Sequence, residues 1–252
     1  MDELAREILA GEQAWIVGGA VRDELLGREV VDLDVACGDP QGAAREYAKR
    51  SGGAPFPLSE RHGAWRVALE AGRTVDFTPL PGSIEDDLAT RDFTINAIAL
   101  PLAGGESVDP YAGRADVEAR AIRAVSPSVF ADDPLRLLRA VRLEDELGFR
   151  MDPETERLVR EHSELTTRPA GERVLAELVR LSEAGYGRAD ELGLLAPLGG
   201  KDNHSIFRID IGRIDNFFHF GFRGLVSFVG LINHNLAILP TIDTSKHRNY
   251  QE

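Results

Sequence analysis

Two aspartates stand on one face of a short apolar strand, and acids in such a place can do chemistry. In the stretch VVDLDVA, Asp32 and Asp34 alternate with apolar residues at the spacing of a β-strand, so both carboxylates point the same way. Aspartate is depleted from strands, so two on one face need an explanation. One explanation is a solvent-facing edge strand. The other is a pair of oxygen ligands, about 7 Å apart along the chain, that bind a divalent metal ion.

A third carboxylate has the same setting. Asp76 in RTVDFTPL alternates with Val75 and Phe77, which predicts that it lies on a strand and points away from them. An exposed strand acid is again the alternative. Three carboxylates on neighbouring strands can hold two Mg²⁺ ions about 4 Å apart, one activating an attacking hydroxyl and the other stabilising a leaving phosphate. Asp32, Asp34 and Asp76 are therefore the candidate catalytic and metal-binding residues.

A glycine pair precedes the first two acids. Gly18 and Gly19 lie between the predicted strand AWIV and the short predicted helix AVRDELLG, where free backbone N–H groups can bind an anion. Arg22, one turn into that helix, offers a guanidinium to phosphate oxygens. A glycine pair alone is usually a turn. Next to candidate metal ligands it indicates a phosphate site.

The elements that position these residues change character along the chain. Alternation predicts strands in QAWIVGG, VVDLDVA, AWRVALEA and RTVDFTPL, with a helix in GDPQGAAREYAKRSG. After RDFTINAIAL, apolar residues at three-and-four spacing predict helices in DDPLRLLRAVRLEDELGF, DPETERLVREHSEL and GERVLAELVRLSEAG. The first hundred or so residues therefore have an α/β pattern, and the next hundred are helical.

Composition limits the kinds of partner and compartment. The 252 residues carry a net charge of −13, which argues against a protein that binds nucleic acid through an overall positive surface charge. The single cysteine, Cys37, lies in an apolar strand and is expected to be a small buried hydrophobe. The N-terminal stretch MDELAREILAGEQ lacks the basic and apolar regions of a signal peptide, so we expect a cytoplasmic protein.

Five motifs in order carry a resemblance to a known family. GGAVRDELLG with DLDVA, DLATRDFTINAIAL, DPYAGRADVEARAIRAV, DDPLRLLRAVRLEDELGF and ERVLAEL are similar to successive motifs of class II tRNA nucleotidyltransferases (CCA-adding enzymes) and bacterial poly(A) polymerases. The resemblance covers about residues 12–185. It implies a polymerase-β-like nucleotidyltransferase head with a small mixed sheet over residues 1–124, followed by an all-helical neck over 125–200.

The resemblance also implies an activity. Members transfer nucleotides from ATP or CTP to the 3′ end of tRNA, or another RNA, without a nucleic-acid template and with Mg²⁺ as cofactor. In this family the residues matching Asp32, Asp34 and Asp76 bind the metal ions. Alternatives that share the motifs are a poly(A) polymerase, an enzyme that adds only CC or only A, and a non-catalytic remnant that binds nucleotide or a partner protein.

Nucleotide contacts are implied at further positions. Family residues that match Gly19 and Arg22 contact the nucleotide phosphates, and those that match Arg91 and Asp92 contact the bound nucleotide, with a share in ribose recognition. Asn96 of the same motif is either a site residue or a helix-interior hydrogen-bonding residue. Turn and cap interactions that support the site are expected of three residues in DPYAGRAD: Asp109, Gly113 and Asp116.

The neck motif has its own physical logic. Asp133, Arg136, Arg139 and Arg142 recur every three residues, which predicts one stripe along a helix. A solvated ion-pair face is the ordinary explanation. However, a carboxylate can accept from the exocyclic amino group of cytosine or adenine while an adjacent guanidinium donates to ring acceptors, and uracil and guanine present the opposite pattern. The stripe therefore predicts selection of CTP and ATP, although Asp132 stands where the family usually has glutamate.

The last part of the chain differs in composition. Residues 1–200 contain one Asn and one Lys, whereas the last 52 residues hold five Asn, four of the six His and six of the eleven Phe. This tail, 201–252, does not resemble the longer helical tRNA-binding body of the family, so we expect head and neck without that body. Its longest uninterrupted apolar stretch, 224–232, is far short of the roughly 20 residues of a membrane span, so no membrane contact is expected.

Charge predicts weak binding of tRNA by the head and neck. Residues 1–200 carry 37 acidic against 23 basic residues, a net charge of −14. A strong complex that salt does not weaken would contradict this expectation.

Overall fold

The computed structural model describes residues 2–59, 62–80 and 82–199. The tail and the apolar run within it lie outside the described residues. Among those that are described, no helix has the length and apolar character needed to cross a membrane. Residues up to 200 form one unit by their backbone contacts, and the predicted boundary between head and neck at 124 stays a prediction within it.

A six-stranded mixed sheet forms the head. Its strands are β1 (Trp15–Val17), β2 (Asp32–Cys37), β3 (Ala54–Ser59), β4 (Ala64–Ala68), β5 (Thr74–Pro79) and β6 (Ala99–Pro101). Their order is β3-β4-β5-β2-β1-β6, with β2 and β5 parallel and the other neighbours antiparallel. Because β2 lies in the interior of the sheet, the edge-strand explanation for its two aspartates is wrong.

Helices pack on both faces of this sheet. The head contains α1 (Glu3–Ile8), α2 (Gly19–Leu25), α3 (Pro40–Ser51), α4 (Ile84–Ala89) and α5 (Gly113–Ala119). α3 has the predicted start and stop: Asp39 accepts from the N–H of Gly42 at 3.0 Å, and Gly52 ends the helix at φ 76°. Tyr47 of α3 packs on Phe77 of β5, with ring centroids 5.7 Å apart. α3 therefore covers the face that bears Phe77 and leaves the opposite face for the acids.

The neck is helical apart from one short strand. It contains α6 (Val129–Asp132), α7 (Arg136–Leu147), α8 (Pro153–Glu161), α9 (Gly171–Leu178) and α10 (Glu183–Glu191). β7 (Ala121–Ile122) pairs in parallel with β8 (Arg150–Met151). GERVLAELVRLSEAG, predicted as one helix, forms two, because Ser182 caps α10 by accepting from the N–H of Gly185 at 3.3 Å. Phe93 and Phe130, with centroids 6.4 Å apart, join head and neck in a buried aromatic contact.

Two strands of the six-stranded sheet lack a clear sequence signal. β3 carries Pro55 and Pro57 and is largely exposed, and a proline-bearing strand is tolerated at the sheet edge that β3 occupies. β6 has only three residues, too few to show alternation. Neither was predicted.

Candidate active site

The sheet register brings the three acids to one face. Asp34 and Asp76 are direct partners across the parallel pair β2–β5, and Asp32 lies opposite Thr74. Val35 and Phe77, the next pair along, are fully buried on the other face. Alternation and register together therefore place the carboxylates side by side, as the sequence predicts.

The three carboxylates do not converge on a common point. Within the described ranges, no group of three Asp, Glu, His or Cys side chains could hold one metal ion. Arg66 donates to both oxygens of Asp76 at 2.6 Å, and Thr74 Oγ1 donates to Asp32 at 2.8 Å. Protein donors thus hold two of the three acids in this arrangement, and the role of the three acids as metal ligands stays a prediction.

Asp34 differs from the other two acids. No donor among the described residues forms a hydrogen bond with its carboxylate. Burial raises the pKa of Asp34 to about 6; Arg91 opposes this rise, and the charges of Asp76 and Asp32 add to it. A carboxylate that burial and neighbouring negative charge both destabilise is well suited to binding a cation.

Gly18 brings the turn between β1 and α2 against the acids. Its φ is 73°, and a Cβ at this position would lie 3.0 Å from Asp34 Oδ2 and 3.4 Å from Arg91 Nη1. The positive φ therefore favours glycine, and the space for a side chain is tight. The structure thus assembles Gly18, Asp34 and Arg91 at one point.

Arg22 is held in place by its neighbours. Its Nη1 donates to Asn96 Oδ1 at 2.7 Å, and its Nε and Nη2 donate to Asp23 Oδ1 at 3.0 Å and 2.9 Å. The side chain is 11% exposed. Asn96 lies on a short 3₁₀ turn and donates in turn to Asp92 Oδ1 at 2.9 Å. A line of hydrogen bonds therefore links the glycine turn to the RDFTIN motif.

Asp92 is buried at the centre of this line. It accepts from the N–H of Phe93 at 2.8 Å and from Arg139 Nε and Nη2 at 2.9 Å and 2.7 Å. Burial disfavours its charge, but Arg139 and the hydrogen bonds outweigh burial and lower the pKa of Asp92. Because protein donors engage both oxygens, Asp92 orients Asn96 and Arg139. A contact between Asp92 and the nucleotide stays a prediction.

The predicted stripe in the neck is wrong at both ends. Asp133 has φ −141° and lies before α7 begins, so it does not share a helix with the arginines. The residue before a proline avoids helical dihedral angles, and Pro134 follows Asp133. At the other end, Arg142 is buried between Glu177, at 2.5 Å, and Glu146, at 2.6 Å.

The two residues expected to read the base lie at the junction of head and neck. Arg136 Nη2 donates to the carbonyl of Thr90 at 2.7 Å, which ties α7 to the segment after α4. Asp133 accepts from Arg173 of α9 at 3.0 Å, with its side chain 33% exposed. Both residues therefore lie near the RDFTIN motif and reach solvent.

Supporting residues behave as expected. Asp109 accepts from the N–H groups of Gly113 and Arg114 at 2.6 Å and 3.0 Å, which caps α5. Asp116 accepts from Thr94 Oγ1 at 2.6 Å. Burial raises the pKa of the Cys37 thiol to about 12, which fits an unreactive buried residue.

Several partners of the site were not predicted: Asp23, Arg66, Asp87, Arg173 and Glu177. Arg66 alternates with Trp65 and Val67 on β4, so its face could be read from the sequence, but its partner strand could not. Glu177 is a charged residue on the apolar side of the predicted helix ERVLAEL. A charge in such a place is rarely buried unless it is paired, so the sequence could have indicated a buried ion pair here.

A concavity of about 450 Å³ lies in the neck between α7 and α10. It is lined by charged residues that include Glu144, Arg150 and Arg188. Arg188 is already paired with Glu144 at 2.9 Å. None of the acids of the head lines it, so it is separate from the candidate site.

Known proteins resemble this chain in sequence. Residues 14–80 and 61–123 match the family model described as the Poly A polymerase head domain. A CC-adding tRNA nucleotidyltransferase of Geobacter sulfurreducens is 46% identical over 175 residues, which are 68% of this chain and 40% of that protein. An A-adding tRNA nucleotidyltransferase of Deinococcus radiodurans is 46% identical over 193 residues, 72% of this chain and 44% of that protein. The chain thus spans less than half the length of these two curated relatives.

Solved structures share the fold. The Thermotoga maritima CCA-adding enzyme complexed with tRNA superposes with a TM-score of 0.71 at 28% identity, over 81% of this chain and 53% of that chain. A tRNA nucleotidyltransferase complexed with a primer tRNA and an incoming ATP analog gives 0.67 at 30% identity, over 77% and 61%. The predicted polymerase-β-like head with a following helical neck is confirmed. Through its head and neck, the chain belongs to the tRNA nucleotidyltransferase and poly(A) polymerase family.

Proposed function

We propose that this chain adds C, A or both from CTP and ATP to the 3′ end of tRNA. The RNA 3′-hydroxyl attacks the α-phosphate of the nucleotide, and pyrophosphate leaves. One observation carries the proposal: Asp34 stands beside Asp76 in register and against Gly18, so the acids meet the turn that would hold phosphates. The CC-adding and A-adding relatives support the same reaction.

Asp32, Asp34 and Asp76 are the proposed ligands of the metal ion. The nucleotidyltransferase family implies a divalent metal ion in general, and Mg²⁺ is the ion we propose because it prefers carboxylate oxygens. The carboxylate of Asp34 accepts no hydrogen bond from the described residues, and burial raises its pKa to about 6, so it suits such a cation. When bound, Mg²⁺ supplies activation of the hydroxyl and neutralisation of the leaving phosphate.

The triphosphate is proposed to lie against the glycine turn. Gly18 and Gly19 carry no side chains at this turn, and the guanidinium groups of Arg91 and Arg22 lie 3.4 Å and 3.2 Å from the positions that their Cβ atoms would take. Asp87 holds Arg91 at 2.7 Å, as Asp23 and Asn96 hold Arg22. Guanidinium groups fixed in this way can bind phosphate oxygens without first being ordered.

The base is proposed to be read by Asp133 and Arg136, with Arg139 beside them. A carboxylate at Asp133 accepts from the amino group that cytosine and adenine share, and uracil has only a carbonyl there. Asp133 is a third exposed. Within the described ranges its carboxylate accepts from the side chain of Arg173 at 3.0 Å and from the N–H of Leu135 at 3.2 Å, so it can accept a further donor.

Incorporation assays distinguish the possible products. The purified chain is supplied with Mg²⁺ and tRNA transcripts that end before CCA or after CC, together with CTP alone, ATP alone or both. Addition of CC to the bare end with no A added to the CC end indicates a CC-adding enzyme, and addition of one A to the CC end alone indicates an A-adding enzyme. Both additions together indicate CCA addition, and long A runs indicate a poly(A) polymerase. EDTA should abolish each product.

A non-catalytic remnant would behave differently. Such a chain would bind ATP in a calorimeter but would add no nucleotide. An otherwise identical chain fused to the remaining body of a curated relative is the matched control. If only the fused chain extends RNA, the fold assignment stands and the proposed activity of this chain is wrong.

A further inference from the structure

Arg66 holds the third carboxylate of the acid face. Its Nε and Nη2 donate to the two oxygens of Asp76, each at 2.6 Å, which is the strong bidentate form of an arginine–carboxylate interaction. The Asp76 side chain is only 11% exposed. The pair must therefore loosen before both oxygens of Asp76 can turn to another ligand.

The sheet places this pair in one row with Asp34. Arg66 and Asp76 are register partners across β4–β5, and Asp76 and Asp34 are register partners across β5–β2. Neighbouring strands lie about 4.8 Å apart, and registered side chains share a face. The guanidinium therefore lies next to the acids, on the side away from the glycine turn.

A permanent positive charge in this row has a physical consequence. Carboxylates crowded on one face repel each other unless a cation lies among them. An arginine does not lose its proton under physiological conditions, so the pair is not relieved by deprotonation. The Arg66 side chain is 34% exposed, so the guanidinium has access to solvent.

We propose that Arg66 is a built-in counter-ion of Asp76 that exchanges with a divalent metal ion. The pair keeps Asp76 in place beside Asp34 in the metal-free chain and opens when the ion binds. Arg66 is thus a positioning residue that sets the metal concentration at which the acid face fills. This inference rests on the proposed function, in which Asp76 is a metal ligand.

Direct metal titration tests the exchange. Mn²⁺ alone is titrated into the full chain by calorimetry, without nucleotide or RNA. Arg66→Met keeps the aliphatic stem and removes the charge, and Arg66→Lys keeps a charge but loses the planar fork. Arg45→Met is the matched control, because Arg45 stacks over Trp65 at 5.3 Å on the opposite face of the sheet.

Arg66→Met should bind Mn²⁺ about fivefold more tightly than the unchanged chain, the equivalent of an ion pair of about 1 kcal/mol. Arg66→Lys should lie between the two, and Arg45→Met should match the unchanged chain. Circular dichroism checks that each variant folds. If Arg66→Met does not fold, tighter Mn²⁺ binding by Arg66→Lys than by the unchanged chain is the expected result. Equal or weaker binding without the arginine, or no binding by any of these chains, would overturn the exchange.

The titration also separates this inference from the proposed function. Tighter Mn²⁺ binding by Arg66→Met in a chain that adds no nucleotide would contradict the function alone. If the chain adds nucleotides but the unchanged chain and Arg66→Met bind Mn²⁺ with equal affinity, the exchange alone would be contradicted.

Discussion

Arg139 of α7 donates two hydrogen bonds, at 2.9 Å and 2.7 Å, to one oxygen of Asp92. The other oxygen of Asp92 accepts from Asn96, whose amide oxygen accepts from Arg22. Four residues from three separate motifs are therefore held in one hydrogen-bonded line. This line fixes the neck to the glycine turn and gives the candidate site a defined geometry.

Breaking the Asp92–Arg139 pair should destabilise the chain. Asp92→Asn removes the carboxylate that Arg139 contacts most closely and leaves it only the 3.8 Å contact with Glu177, and Arg139→Met leaves a buried carboxylate without a counter-charge, so each should lower the free energy of unfolding by about 3 kcal/mol. Urea unfolding followed by circular dichroism measures this. The double variant should lose clearly less than the sum of the two. Strict additivity would mean that the two groups do not interact.

Replacing Asp34 should change how stability depends on pH. The pKa of Asp34 is about 6 in the folded chain against 3.8 ordinarily, so folding takes up a proton between these values and stability falls as pH rises through that window. Asp34→Asn removes this penalty. In EDTA, its free energy of unfolding should exceed that of the unchanged chain by about 1–3 kcal/mol at pH 7.5 and by little at pH 4. A difference that does not vary with pH would contradict the assignment.

Base selection should depend on Asp133. Asp133→Ala removes the acceptor for the amino group of cytosine and adenine, so incorporation of UTP and GTP relative to CTP and ATP should rise by about tenfold or more. Single-nucleotide incorporation with each of the four triphosphates measures the ratio. Asp190→Ala, an exposed position on α10, should leave it unchanged. If Asp133→Ala incorporates the four nucleotides in the same ratio as the unchanged chain, Asp133 does not read the base.

Cys37 should be unreactive in the folded chain. It is fully buried on β2, and burial raises its thiol pKa to about 12, so little thiolate exists at pH 8. A disulfide exchange reagent should modify it only after urea unfolds the protein. Rapid modification under native conditions would show that the end of β2 opens.

The alternation of acids and apolar residues was sufficient to predict β2 and β5 and the shared face of Asp32 and Asp34. Strand neighbours are set by long-range pairing, which no local pattern reveals. Sequence alone therefore missed that Arg66 faces Asp76 and expected a free cluster of three acids.

In the neck, the sequence analysis extended one helix over Asp133, a residue at which the helix is interrupted. Asp133 precedes Pro134, and this sequence feature alone argued that α7 begins later. The burial of Arg142 has a different origin, because it depends on the packing of α9 against α7, which brings Glu177 to it. Motif order gave the family, while tertiary packing decided which motif residues face the site.

The central claim is that Asp34 serves nucleotide transfer, and one comparison tests it most directly. Purified chain, Asp34→Asn and the exposed control Asp190→Asn are incubated with Mg²⁺, labelled CTP and ATP, and tRNA lacking its end. The unchanged chain and the control should label the RNA at equal rates, and Asp34→Asn should lose activity by about a thousandfold or more. Labelling by Asp34→Asn at the rate of the unchanged chain would contradict the account.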